Sequence, residues 1–259
     1  MTDDKTPVLF IGHGSPMNII YRNEYTKSLQ TLGKSLPKPD AILVISAHWL
    51  TEGTFVCSAG KPEQIYDFYG FPTELYEVKY HPPGAPQIAE SLIHELRSDN
   101  VQGDDTWGID HASWAVLVHM YPKADIPIFE MSLNTLKNEQ EHYALGKKLS
   151  YLRKRNILIM GSGNIVHNLR QIEFDEHAKP FSWAVEFDEY IKDALLRKDH
   201  ERLLRYKELS PVSRLAVPTN DHYLPFLYSA ALQEEGEQVE FVHESIQNGS
   251  ISMRCFMIH

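Results

Sequence analysis

No stretch constrains this chain more than the uninterrupted apolar run Val8-Leu9-Phe10-Ile11, which stops abruptly at Gly12-His13-Gly14-Ser15-Pro16. An apolar run without alternation reads as a strand buried on both faces, the kind found in parallel sheets covered by helices. The glycines flanking His13 let the backbone turn sharply and approach a ligand closely, and Pro16 prevents the strand from continuing. In open parallel sheets ligands sit at the carboxyl ends of the strands. The arrangement recurs twice. Residues 41–47 (AILVISA) run into His48-Trp49, and residues 157–160 (ILIM) run into Gly161-Ser162-Gly163-Asn164 and then His167-Asn168.

Within 259 residues no Gly/Ser/Pro-rich linker interrupts this pattern, so a single α/β domain covering residues 1–259 is expected. A formal net charge of −10 and the lack of a basic run argue against nucleic acid or an anionic membrane as partner. A small-molecule ligand fits better. Cys57 and Cys255 lie far apart with no C-x-x-C, so neither a disulfide framework nor a cysteine metal site is expected. The polar start, the lack of an apolar leader and the lack of any stretch of membrane-spanning length point to a cytoplasmic protein.

Strands and helices alternate along the chain. Helical patterns are predicted for residues 24–34, 85–97 and 115–120; Ile88, Leu92 and Leu96 fall on one face of the second. Outer or further strands are expected at 54–59, 126–132, 239–242 and 251–258. Asn138 with Glu141 forms a capping-box pattern ahead of a helix carrying Leu145, Leu149 and Leu152. Trp183, Phe187, Ile191 and Leu195 mark another amphipathic helix, while residues 211–223 read as a loop. The order predicts a largely parallel central sheet flanked by helices, with antiparallel strands at its edge. Residues 61–80 stand apart. There Tyr66, Phe68, Tyr69, Phe71, Tyr76 and Tyr80 alternate with prolines and a glycine, either as a loop folded over its own aromatics or as a pocket wall for a flat apolar ligand.

The chemistry has to come from imidazole. Gly161-Ser162-Gly163 lacks the third glycine of a dinucleotide fingerprint, and neither Ser15 nor Ser162 sits in G-x-S-x-G. Thirteen histidines mean little as a number, so position decides. His13, His48, His167 and His222 each fall in a loop at a strand end or helix start where Gly or Pro constrains the backbone, a placement suited to an open metal site. His111 follows Asp110 between Trp107 and Trp114, either packed under tryptophan or facing an aromatic-lined pocket. His81 and His119 read as structural.

Six segments together resemble a known family. They are Gly12-His13-Gly14-Ser15-Pro16, Ser46-Ala47-His48-Trp49, Asp67-Phe68-Tyr69-Gly70-Phe71-Pro72, Trp107-Gly108-Ile109-Asp110-His111, the stretch from Gly161-Ser162-Gly163-Asn164 to His167-Asn168-Leu169-Arg170, and Pro218-Thr219 with His222-Tyr223-Leu224-Pro225. In this order they are similar to the motif series of the DODA-type extradiol ring-cleavage dioxygenases, a branch of the class III, LigB-like superfamily. One departure is Ala112, where the family usually has glycine. The resemblance implies one divalent metal ion, iron(II) for activity with zinc often found in its place. It implies His13, His48 and His222 as metal positions, His167 as an acid–base histidine able to approach as a fourth ligand, and His111 as a substrate-side histidine. Three imidazoles suit zinc at least as well as iron, so both metals stay open.

On this reading the substrates are a small aromatic catechol, of which 3,4-dihydroxyphenylalanine is the family's best-known example, and O2. The protein would be a monomer or a small homo-oligomer. Two rivals remain. One is a zinc hydrolase on the same histidines with metal-bound hydroxide as nucleophile. The other is a binding module that kept the fold and lost the metal.

Overall fold

A computed structural model describes residues 5–259; the polar start at residues 1–4 lies outside them. The strands are β1 (Val8–Gly12), β2 (Ala41–Thr51), β3 (Thr54–Cys57), β4 (Val101–Asp104), β5 (Ile128–Asn134), β6 (Ile157–Gly163), β7 (Val239–His243), β8 (Ile246–Gln247), β9 (Ile251–Ser252) and β10 (Cys255–Ile258). The helices are α1 (Glu24–Ser35), α2 (Thr73–Glu77), α3 (Pro86–Glu95), α4 (His111–Met120), α5 (Glu139–Lys148), α6 (Ser182–Leu196), α7 (His200–Leu204), α8 (Tyr206–Leu209), α9 (Ser213–Ala216) and α10 (Leu224–Ala231).

Among the described residues, eight strands form one sheet in the order β4-β3-β5-β2-β6-β1-β10-β7. Its centre, β5-β2-β6-β1, is parallel, as expected from the apolar runs. Antiparallel pairing enters at β3 against β5 and at β10 against β1 and β7. Side chains of β1 alternate between two cores: Val8 and Phe10 pack with α3, α5, α6 and α10, and Leu9 and Ile11 pack with α1 and α4. Both faces are therefore covered by helices, which is why the strand carries no polar residue.

Local chemistry explains the helix ends. Asn23 and Asn138 close capping boxes with Thr26 and Glu141, the second as predicted. The helix expected at 115–120 begins earlier, at His111, because Asp110 caps it by accepting from the Ala112 amide at 2.9 Å. The segment 211–223 is not all loop, since α9 forms within it.

Two strand expectations change. His48 does not follow the end of β2 but lies inside it; pairing with β5 breaks after Ile45↔Met131 and resumes at Leu50↔Leu133, so residues 46–49 bulge out of the ladder. The single strand expected at 251–258 is two. The chain bends at Met253-Arg254, where the buried Arg254 guanidinium reaches Asp188 on α6 with Nε at 3.0 Å and also pairs with Glu244. Among the described residues no helix is long and apolar enough to cross a membrane.

Candidate metal and substrate site

The carboxyl ends of β1, β2 and β6 converge at one end of the sheet, and the predicted histidines gather there. His13 leaves β1 through Gly14, whose φ of +62° is the left-handed conformation that glycine adopts without strain. His222 comes from the turn before α10, which lies directly on β6. A Cβ on Gly163 would stand 2.2 Å from the His222 carbonyl oxygen, and that carbonyl accepts from the Asn164 amide at 2.9 Å. Glycine at 163 thus brings the fourth segment into the site.

His13, His48 and His222 each offer a ring nitrogen within 4.8 Å of the others. Nε2 of His13 stands 3.2 Å from Nε2 of His48. The second nitrogen of each ring is already committed. Ser162 donates its hydroxyl proton to the Ala112 carbonyl at 2.6 Å, so at 3.1 Å its oxygen accepts from His13 Nδ1. His48 Nδ1 lies 3.3 Å from the Asp67 carboxylate, and His222 Nδ1 donates to Asp221 at 2.5 Å. Hydrogen bonds thus hold Nδ1 of His13 and His222, the Asp67 carboxylate beside His48 Nδ1 favours the same tautomer there, and Nε2 of each ring is left as the free lone-pair donor. Two lone pairs facing at 3.2 Å have no proton to share; a cation between them resolves the contact, and the spacing suits nitrogens about 2.0–2.1 Å from one ion. Carboxylate and hydroxyl partners behind the ligating rings are the usual support for such a site. The donor set fits a divalent metal.

Burial first, and the neighbouring imidazoles second, hold His13, His48 and His167 well below the ordinary histidine value. They are neutral near pH 7, the form that ligates metal or accepts a proton. Burial alone would raise Asp67 and Asp221, but their contacts to His111 and His222 outweigh it and leave both lowered, hence ionised.

His167 stands apart from the other three. Its ring stacks on His222, with centroids 3.5 Å apart and planes 8° from parallel, and it groups with Asp221 and His222 rather than with His13 and His48. His111 lies on the opposite side, 4.1 Å from His48 between ring centroids. Asp67 clamps it twice, accepting from its amide at 2.9 Å and from Nδ1 at 2.8 Å. All five histidines line one cavity of about 420 Å³, within the range of small-molecule sites.

Both readings of the aromatic segment hold in part. Phe68, Tyr69 and Phe71 line the cavity, while Tyr66 packs against Trp114 and Tyr76 and donates its hydroxyl to the Val78 carbonyl at 2.7 Å. His81 and His119 are not among the lining residues, and His119 bonds the Asn18 carbonyl at 2.9 Å. Ala112 lies buried in the first turn of α4. Cys57 and Cys255 are buried free thiols.

Sequence reasoning missed the carboxylates behind the histidines. Asp67 was visible only as the first residue of an aromatic motif, and Asp221 as the neighbour of His222. Glu130 left a plainer trace, a charge inside the apolar run Ile128-Phe129-Glu130-Met131. It is fully buried and accepts from Trp107 Nε1 at 2.8 Å, from the Asp110 amide at 2.9 Å and from the Ser113 hydroxyl, fixing the segment that carries His111. Trp107 in turn stacks on Trp49, beside His48, at 5.1 Å and 3°.

Comparison with known proteins bears on this geometry. A family model described as the catalytic LigB subunit of aromatic ring-opening dioxygenase matches residues 6–254. A 4,5-DOPA dioxygenase extradiol from Escherichia coli (strain K12) is 42% identical over 262 residues, covering 100% of this chain and 96% of that protein. A protein of the same name from Beta vulgaris is 34% identical, covering 96% and 95%. The crystal structure of an uncharacterized protein from Escherichia coli K12 superimposes with a TM-score of 0.86 at 38% identity, covering 98% of this chain and 100% of that one.

Proposed function

Since the chain belongs to the LigB family of aromatic ring-opening dioxygenases, we propose that it opens a catechol ring beside its two hydroxyls, with O2 as co-substrate and a divalent metal held by His13, His48 and His222. The observation that carries the proposal is the gathering of ring nitrogens of His13, His48 and His222 within 4.8 Å of one another, with a polar partner beside each Nδ1, in the lining of an aromatic-walled cavity. When bound, the ion supplies Lewis acidity that lowers the pKa of two adjacent ring hydroxyls and, as iron(II), the one-electron chemistry that O2 requires.

The residues of the chain then divide the remaining work. His167, neutral and making no side-chain hydrogen bond among the described residues, is free to accept the proton of a substrate hydroxyl and return it as the ring opens. His111, with Nδ1–H given to Asp67, presents Nε2 as an acceptor to the substrate side of the cavity. Phe68 and Phe71 meet edge to face at 5.5 Å and form a wall against which a flat ring packs and from which water is excluded. Catechol and O2 combine with both oxygen atoms retained in the product, so no external reductant is needed. A ring of the 3,4-dihydroxyphenylalanine type, named for several relatives, is the first candidate substrate. Nothing in the geometry or among the relatives favours a zinc hydrolase.

The direct test loads the protein anaerobically with iron(II) or zinc and follows oxygen uptake with catechols. Uptake with iron and a coloured ring-opened product are expected.

A further inference from the structure

Apart from its histidines and Asp67 the cavity lining is apolar, where an acid-binding site would carry lysine or arginine. Among the described residues its lining contains no lysine and no arginine, and its one carboxylate is Asp67, whose side chain is 18% exposed. Its mouth is unusual in the opposite sense. Tyr69 is 92% and Leu169 59% exposed, both large apolar side chains left in water, and both line this cavity from separate segments, the loop before α2 and the turn after His167. Phe71 and Ile172 line it as well. Scattered exposed apolar residues need no explanation, but two converging on one ligand cavity do.

We infer that the pocket selects catechols whose ring substituent carries no net negative charge, with Tyr69 and Leu169 as the residues that read that substituent. This rests on the catechol reading above. An uncharged substituent leaving the ring covers Tyr69 and Leu169 and removes apolar surface from water, whereas a zwitterion brings its own ammonium to offset its carboxylate. A carboxylate in the same place loses hydration without meeting a lysine or arginine of the cavity lining, a cost set by charge rather than size. The net charge of −10 acts in the same direction on approach.

The test compares 4-ethylcatechol with 3,4-dihydroxyphenylacetate, which differ mainly in the terminal charge. Affinities are measured by anaerobic calorimetry on metal-free and iron(II)-loaded protein, and kcat/KM by oxygen uptake. At least tenfold preference for 4-ethylcatechol is expected in both readouts. Leu169→Arg, at an exposed position that the core does not need, should reduce or reverse the preference by placing a cation at the mouth, and Tyr69→Ser should raise KM for 4-ethylcatechol more than it lowers kcat. Equal or tighter binding of the acid by the unaltered protein, or a preference untouched by Leu169→Arg, overturns the inference. Binding with the predicted preference but no oxygen uptake with any catechol supports the inference and overturns the proposed reaction instead, so the two failures are distinguishable.

Discussion

His13 and His48 face each other through their Nε2 atoms at 3.2 Å, each with its other nitrogen held by a partner, Ser162 for one and Asp67 for the other. The pair comes from β1 and β2, which are not neighbours; β6 runs between them and supplies Ser162. Support and ligands thus come from three adjacent parallel strands, and His222 is laid over them by the turn that Gly163 admits.

Removing any of the three rings should cost the metal and spare the fold. His13→Ala, His48→Ala and His222→Ala should each lower metal occupancy more than tenfold, with circular dichroism unchanged, because none of these side chains builds either hydrophobic core. Asp221→Asn should weaken metal about 10- to 100-fold through His222 alone. Metal analysis after dialysis decides, and full occupancy in one variant removes that residue from the site.

Asp67 serves two histidines at once, so its loss should show twice. Asp67→Asn should weaken metal binding through His48 and, with metal restored to saturation, still lower kcat/KM because His111 has lost its anchor. Full recovery by added metal would mean that the His111 contact is idle.

The ligand and acid–base roles of His167 separate in one variant. His167→Gln should retain metal and bind catechol, yet lose roughly 10²–10⁴-fold in turnover, the usual contribution of a positioned proton carrier. Its stacking on His222, outside the three-nitrogen set, favours that outcome. Release of metal, with activity regained in excess iron(II), would make it a ligand.

The buried acids behind His111 predict a pH effect on stability. Asp110 and Glu130 are fully buried, with the Asp110 amide donating to Glu130 at 2.9 Å; burial raises both, Glu130 from 4.5 to about 7. Across that interval the folded state holds a proton that the unfolded state has lost, so this group's contribution to stability falls as pH rises from about 4.5 to about 7 and is level above. Buried histidines such as His142, pushed down to about 4, act with the opposite sign, since their charging in the unfolded state favours unfolding as pH falls. The comparison must therefore be made against Glu130→Gln. The difference in unfolding free energy, wild type minus variant, should decline with pH through this window; a flat difference would show that Glu130 does not keep its proton there.

Much of this was legible in the sequence because apolar runs without alternation have few places to go. β1, β2 and β6 follow from Val8-Leu9-Phe10-Ile11, residues 41–47 and residues 157–160, and a strand leading into a histidine already places that histidine at the sheet's carboxyl edge. The bulge at 46–49 was not legible, since it depends on pairing with β5 rather than on residues within β2. Nor was the break at Met253-Arg254, which is set by Asp188 and Glu244 far away in the chain. Asp67, Ser162 and Glu130 escaped for the same reason. Their roles are contacts between segments, and no spacing within one segment records them.

The most direct measurement is oxygen consumption by protein loaded anaerobically with iron(II) and then given O2 and a panel of ortho-dihydroxy aromatics, with the matching monophenols alongside. Only adjacent hydroxyls can chelate one ion, so the account predicts one O2 consumed per catechol, a coloured ring-opened product, and no uptake with the monophenols. Iron-loaded protein that binds catechols yet consumes no oxygen with any of them would contradict it.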